Sequence, residues 1–176
     1  MTERELVYLG LGGNLSAPID ALREAIKGID GLLSGTECSR FYSTEPRYDL
    51  DQDRFVNAVV RGSTDLTPLE LLVKLQSLEH ELGRVRDPSR PKGPRRIDID
   101  ILLFGNRVID EARLMVPHPR MGERKFVLIP LLELDSTIED PRSGEAWGDQ
   151  LARLETQGIY YMSVKDYSRS LSWGGP

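Results

Sequence analysis

Apolar residues recur along this chain in two periods, and each period predicts its own kind of element. From Glu5 to Leu11 they alternate, with Val7, Leu9 and Leu11 on one face and Leu6 and Tyr8 on the other, the mark of a strand. Gly10, Gly12, Gly13 and Asn14 follow and predict a tight turn in which at least one glycine takes positive φ. The period then lengthens: Leu22, Ile26 and Ile29 form the stripe of a helix with Ser16 as its cap and Pro18 in its first turn. Strands are predicted at Glu37 to Tyr42 and Phe55 to Ser63, separated by a loop from Ser43 to Arg54. Thr67-Pro68-Leu69-Glu70 is a capping box, followed by a helical stripe of Leu72, Leu75, Leu78 and Leu82 and by Gly83 where a C-terminal cap belongs. Pro88, Pro91 and Pro94 predict a second loop. Ile97 to Phe104 is a strand, Gly105-Asn106 a turn, and Arg107 to Ile109 a short returning strand. Helices are predicted from Phe126 to Leu134 and, as a last short one, over Ser143-Gly-Glu-Ala-Trp147 to Leu154. Short β-connections among these elements favour an α+β fold with a largely antiparallel sheet. Residues 1–160 are expected to form one domain, with 161–176 a loosely ordered C-terminal extension.

Composition narrows the chemistry. The 176 residues are enough for one self-supporting core. The single cysteine, Cys38, excludes an internal disulfide, and the two histidines, His80 and His118, make a multi-histidine metal centre unexpected. The N-terminus shows no signal peptide and no apolar run reaches the ~20 residues of a membrane span, so a cytoplasmic protein is expected. Net charge is −5, but residues 84–96 carry Arg84, Arg86, Arg90, Lys92, Arg95 and Arg96 against Asp87 alone. A local anion site fits that concentration better than a nucleic-acid-coating face, which would be broader. A solvated basic loop would show the same run.

Directly after that loop comes Ile97-Asp98-Ile99-Asp100-Ile101. In a strand the two aspartates share a face, their Cα atoms roughly 6.5–7 Å apart, while the isoleucines point to the core. Carboxylates so spaced suit a pair of divalent ions about 3.5–4 Å apart, and arginines beside them suit phosphates. Taken alone, the pattern is also that of a solvent-facing polar edge. Gly10-Leu-Gly12-Gly13-Asn14-Leu15 lacks the last glycine of the dinucleotide fingerprint, and no P-loop motif occurs. His118, Phe55, Phe126 and Asn57 carry no distinguishing pattern of their own.

In combination and order, the segments FYSTEP, FVNAVV, LLVKLQSLEHELGRVR, GPRRIDIDILLFG and RLMVPHPRMGERKFVLIPL resemble the 6-hydroxymethyl-7,8-dihydropterin pyrophosphokinases of folate biosynthesis, over about residues 5 to 140. The resemblance implies a ferredoxin-like α+β domain with three active-site loops. It also implies transfer of diphosphate from ATP to the pterin hydroxymethyl group with release of AMP. On it, Asp98 and Asp100 correspond to ligands of two Mg2+ ions. Arg84 and Arg95 correspond to triphosphate-holding arginines, assisted by Arg86, and His118 to a phosphate-binding histidine. Arg113 and Arg124 match basic residues of the nucleotide site, and Gln76 and Glu79 match helix positions lining it. Phe126 and Phe55 correspond to the two faces of a pterin slot, Asn57 to the amide that reads the pterin edge, and Thr44 to a pterin-side loop residue, with Asp98 beside them.

The sequence departs from the family at Lys92, where tryptophan is usual, and at Gly13 and Pro119, where serine and tyrosine are common. The Arg84–Arg95 loop is one residue longer. The partners implied are small molecules, ATP and the pterin, with no nucleic acid or membrane, and a monomer is expected. The competing readings are another metal-dependent phosphoryl or nucleotidyl transferase and a module that binds nucleic acid through the basic loop.

Overall fold

Val7, Leu9 and Leu11 are lost from solvent on one face of a strand that spans Glu5–Gly13 (β1), and the sheet is assembled around it. In this computed structural model, residues 4–46, 51–85, 89, 93–155 and 159–161 are described. β1 pairs antiparallel with Phe55–Thr64 (β4) on one side and Asp98–Phe104 (β5) on the other. The far edge of β4 receives Ser34–Cys38 (β2) and Tyr42–Thr44 (β3), and β3 carries Ile159–Tyr161 (β8). The order β5-β1-β4-β3-β8, with β2 on β4, is that of a ferredoxin-like α+β fold, and every pairing is antiparallel.

Two cores sandwich the sheet. Helices Pro18–Asp30 (α1) and Pro68–Glu81 (α2) bury Leu22, Ile26, Ile29, Leu71 and Leu75 against Val7, Leu9, Ile99 and Ile101. Lys125–Leu134 (α3) and Trp147–Arg153 (α4) bury Leu128, Leu131 and Trp147 against Tyr8, Val59, Leu102 and Leu103 on the other face. α2 begins as expected: the Thr67 side chain accepts the Glu70 N–H while Glu70 reaches back to the Thr67 N–H at 2.8 Å. Gly83, at φ +83°, lets the chain leave that helix in the left-handed conformation that glycine adopts without strain. Among the described residues no helix is long and apolar enough to cross a membrane.

Several local expectations are corrected. The strand does not break at Gly10; it runs through Gly12 and Gly13, and none of these three has positive φ. Ser16 is not a cap: it and Ala17 take positive φ (25° and 53°), and Ala17 stands at the helix start with no side-chain bond. The predicted strand over Glu37 to Tyr42 splits in two. Cys38 faces Val60 but Tyr42 faces Asn57, so the register gains one residue between them. Ser39 fills that bulge, its hydroxyl accepting the Val59 N–H at 2.9 Å. Arg107 to Ile109 does not return onto β5; Ile109–Glu111 (β6) pairs with Leu114–Val116 (β7) as a separate hairpin. β8 was not anticipated.

Candidate active site

The register of the central strands builds the site. Gly12 lies opposite Asp98 on one neighbour and Asn57 on the other; Gly10 lies opposite Asp100 and Val59. The two glycines, an even number apart, therefore form a floor without side chains between a carboxylate wall on β5 and an amide wall on β4. A Cβ on Gly12 would stand 2.9 Å from Asn57 Oδ1, and one on Gly10 3.2 Å from a Leu102 methyl. Above that floor is a pocket of about 230 Å³ lined by Thr44, Phe55, Asn57, Arg95, Asp98, Asp100, Arg120, Arg124 and Phe126.

Its apolar and amide parts are held rigidly. Asn57 and Thr44 are both buried, and the Asn57 amide donates to Thr44 Oγ1 at 2.8 Å, which leaves its Oδ1 facing Gly12. Phe55 comes from the first residue of β4 and Phe126 from the first turn of α3. Each ring has a guanidinium over it: Arg95 at 4.8 Å from the Phe55 centroid, Arg124 at 5.7 Å from that of Phe126.

The charged part is a network on the β5 side. Arg95 Nε pairs with Asp98, and Arg84 lies between Glu79 and Asp98, 2.5 Å from Asp98 Oδ1. Glu79 is only 3% exposed and accepts the main-chain N–H of Ile99, between the two aspartates, at 2.7 Å. Burial pushes the Glu79 carboxyl up, with Arg84 and the Ile99 N–H pulling against it. Burial works to lower the Arg84 guanidinium, but Glu79, Asp98 and Asp100 outweigh it and raise it. Asp100 is more open, with His118 Nε2 at 4.0 Å. His118 Nδ1 accepts the Arg120 N–H at 3.2 Å, so in the neutral ring the proton sits on Nε2, toward Asp100. Burial, aided by Arg124, holds the His118 pKa below its ordinary value against the pull of Asp100.

The pocket thus brings together Thr44, Phe55, Asn57, Asp98, Asp100, Arg95, Arg124 and Phe126. Gln76, Glu79 and Arg84 line a neighbouring open groove, from which Arg84 reaches Asp98 of the pocket. Arg113 is exposed at the turn of the β6–β7 hairpin and lines neither. Arg86 and Lys92 lie outside the described residues. Sequence reasoning missed Arg120, which had no pattern to mark it, and the role of Gly10 and Gly12. Their signal was present: glycines two apart in a strand share a face, as the aspartates do.

The family model for 7,8-dihydro-6-hydroxymethylpterin-pyrophosphokinase matches residues 8–136. A 2-amino-4-hydroxy-6-hydroxymethyldihydropteridine pyrophosphokinase of Haemophilus influenzae is 45% identical over 77% of this chain and 85% of its own length. One of Pseudomonas aeruginosa is 41% identical over 87% of this chain and 94% of its own. Among solved structures, a Plasmodium falciparum HPPK-DHPS triple mutant superposes with a TM-score of 0.70 at 14% identity, over 87% of this chain. This chain spans 44% of that longer protein.

Proposed function

The chain belongs to the 7,8-dihydro-6-hydroxymethylpterin-pyrophosphokinase family, and from that premise we propose that it transfers diphosphate from ATP to the hydroxymethyl group of 6-hydroxymethyl-7,8-dihydropterin, releasing AMP, as a step of folate biosynthesis. The observation that carries the reading is the single pocket in which two phenylalanines and a fixed asparagine adjoin two carboxylates and an arginine. A flat, amide-rich heterocycle suits the first set and a polyphosphate the second.

In this reading the pterin lies between Phe55 and Phe126. Asn57, held by Thr44, meets its edge, and Asp98 flanks the hydroxymethyl group. Arg84 and Arg95 neutralise the phosphates, and His118 donates from Nε2. Gln76, Glu79 and Arg84 shape the nucleotide groove, with Arg124 at the pocket rim; Arg86 and Arg113 are assigned to the nucleotide by resemblance alone. Asp98 and Asp100 fit Mg2+: hard carboxylate oxygens on one strand face, opening into the pocket. Among the described residues no third acidic, cysteine or histidine side chain joins them in a cluster. Mg2+ commonly accepts such a short protein set and takes its remaining ligands from phosphates and water. When bound, it would supply charge neutralisation at the phosphoryl oxygens. The protein's part is to place the hydroxymethyl oxygen in line with the β-phosphorus, to hold the charge developing toward AMP and to exclude water. The pairing of Ile159–Tyr161 with β3 supports a domain that runs through Tyr161; residues 162–176, most of the expected extension, lie outside the described residues.

The test is product analysis. The protein, ATP, Mg2+ and the hydroxymethylpterin are incubated together and the nucleotides separated. AMP and a pterin diphosphate, formed only when the pterin is present, are expected. ADP, or AMP formed regardless of the pterin, would refute the reading.

A further inference from the structure

The aromatic and amide sides of the pocket come from elements that the sheet alone does not hold together. Phe126 lies in the first turn of α3, packed over the sheet, while Thr44 and Asn57 lie within it, on β3 and β4. The ladder pairs Tyr42 with Asn57 and Thr44 with Phe55, which fixes these residues in the plane of the sheet. The height of α3 over that plane is set by side chains: the packing of Leu128 and Leu131, and polar ties at the last turn of the helix. There Arg61 of β4 donates to the Leu134 carbonyl at 2.7 Å, and Glu133 reaches β3. Glu133 Oε2 accepts the Tyr42 hydroxyl at 2.7 Å, and its Oε1 accepts the Arg40 main-chain N–H at 3.2 Å and Arg40 Nε–H at 2.8 Å. A carboxylate suits the position because it offers an oxygen to each partner.

Tyr42 and Glu133 are placed to pass this tie on to the pocket, although neither lines it. Phe126 and Glu133 are seven positions apart in α3, close to two full turns and about 10 Å along the axis, so they share a helix face. Tyr42 and Thr44, two apart, share a strand face, and the Thr44 hydroxyl accepts the Asn57 amide at 2.8 Å. Tyr42, Thr44 and Asn57 are all buried. Burial, with Glu133 adding to it, pushes the Tyr42 pKa up to about 12, so the hydroxyl remains a donor at ordinary pH. Resting on the pterin reading above, we propose that Glu133 and Tyr42 are positioning residues for the pterin. Their bond clamps α3 to β3 and thereby sets the gap between the Phe126 ring and the Asn57 amide.

Equilibrium titrations of wild type, Tyr42→Phe, Glu133→Ala and the double variant test the assignment. Each is titrated with a non-hydrolysable ATP analogue and Mg2+ alone, and then, at saturating analogue, with 6-hydroxymethyl-7,8-dihydropterin. Tyr42→Phe keeps the ring and removes only the donor, and it should weaken pterin binding by about 3- to 10-fold. Glu133→Ala should lose at least as much, since it also releases Arg40. The double variant should be no weaker than Glu133→Ala, because both changes break the same bond. Affinity for the analogue should be unchanged throughout, which also shows that the variants are folded. Additive losses, equal weakening for both ligands or an unaltered pterin affinity would overturn the assignment. A wild-type chain that bound the analogue but not the pterin would instead overturn the pterin reading itself.

Discussion

The side chain of Asn14 is fastened to the backbone of Arg95: its Oδ1 accepts the Arg95 N–H at 2.9 Å, and the Asn14 N–H donates back to the Arg95 carbonyl at 2.9 Å. The same buried amide donates to Gln52 Oε1 and to the Asp53 carbonyl, each at 3.0 Å. One residue thus ties the end of β1 to two segments that border the pocket. It also sets the main chain from which Arg95 reaches Phe55 and Asp98. Asn14→Ala leaves these buried partners unsatisfied and should cost about 1–3 kcal/mol of stability. Thermal unfolding reads the loss, and kcat/KM should fall with it as Arg95 loses its position. Lowered stability with full activity would confine Asn14 to folding.

Glu79 has two jobs that different substitutions separate. Glu79→Gln keeps an oxygen for the Ile99 N–H but removes the charge opposite Arg84. Glu79→Leu removes both and strands a buried donor. In urea unfolding, the leucine variant should lose about 1–3 kcal/mol more than the glutamine variant. Equal losses would mean that the Ile99 bond contributes nothing.

Asp98 is paired with both Arg84 and Arg95, so its carboxylate orders the cations as well as facing the pocket. Asp98→Asn should lower kcat by at least about 100-fold in the AMP-release assay. A chelator should stop wild-type turnover and added Mg2+ restore it. Full turnover of the variant, or indifference to the chelator, would count against the assigned site.

A Cβ added at Gly13 would fall 2.3 Å from the Arg96 carbonyl oxygen. The partner is backbone, which cannot swing aside. Gly13→Ala should therefore destabilise by about 1–3 kcal/mol, the usual cost of overpacking. It should also raise KM, because the Arg95–Arg96 segment must move. Denaturant unfolding together with steady-state kinetics would show whether both changes occur.

Cys38 should be a slow thiol. Burial, with the charges of Glu133 and Asp30 adding to it, pushes its pKa up to about 12. The folded thiol therefore stays protonated far above the ordinary value of about 8.5. At about pH 8 a thiol-specific reagent should label native protein much more slowly than protein unfolded in denaturant, where the group titrates normally. Equal rates would contradict the burial.

Periodicity along the chain was enough to place the strand that carries Asp98 and Asp100 on one face, the capped helix that ends at Gly83, and the apolar stripes of Leu22, Ile26 and Ile29. These are local consequences of backbone geometry, since residues two apart in a strand, or three and four apart in a helix, share a side whatever surrounds them. The ordered motifs around GPRRIDIDILLFG and VPHPRM also sufficed to mark the family. The even spacing of Gly10 and Gly12 shows that they share a strand face but not why they are glycines, because a glycine's reason for being a glycine is often its neighbour across the sheet. Only the antiparallel register sets Gly10 and Gly12 between Asp100, Asp98 and Asn57, where any Cβ would crowd the floor. The same holds for Ser39, whose hydroxyl stands in for a missing ladder contact at a bulge. It holds too for Asn14, whose partners lie 38 to 81 residues away. Arg120 entered the pocket through packing, not pattern. Tertiary structure decided those roles because hydrogen bonds and excluded volume act between residues near in space, and separation along the chain carries no record of that nearness.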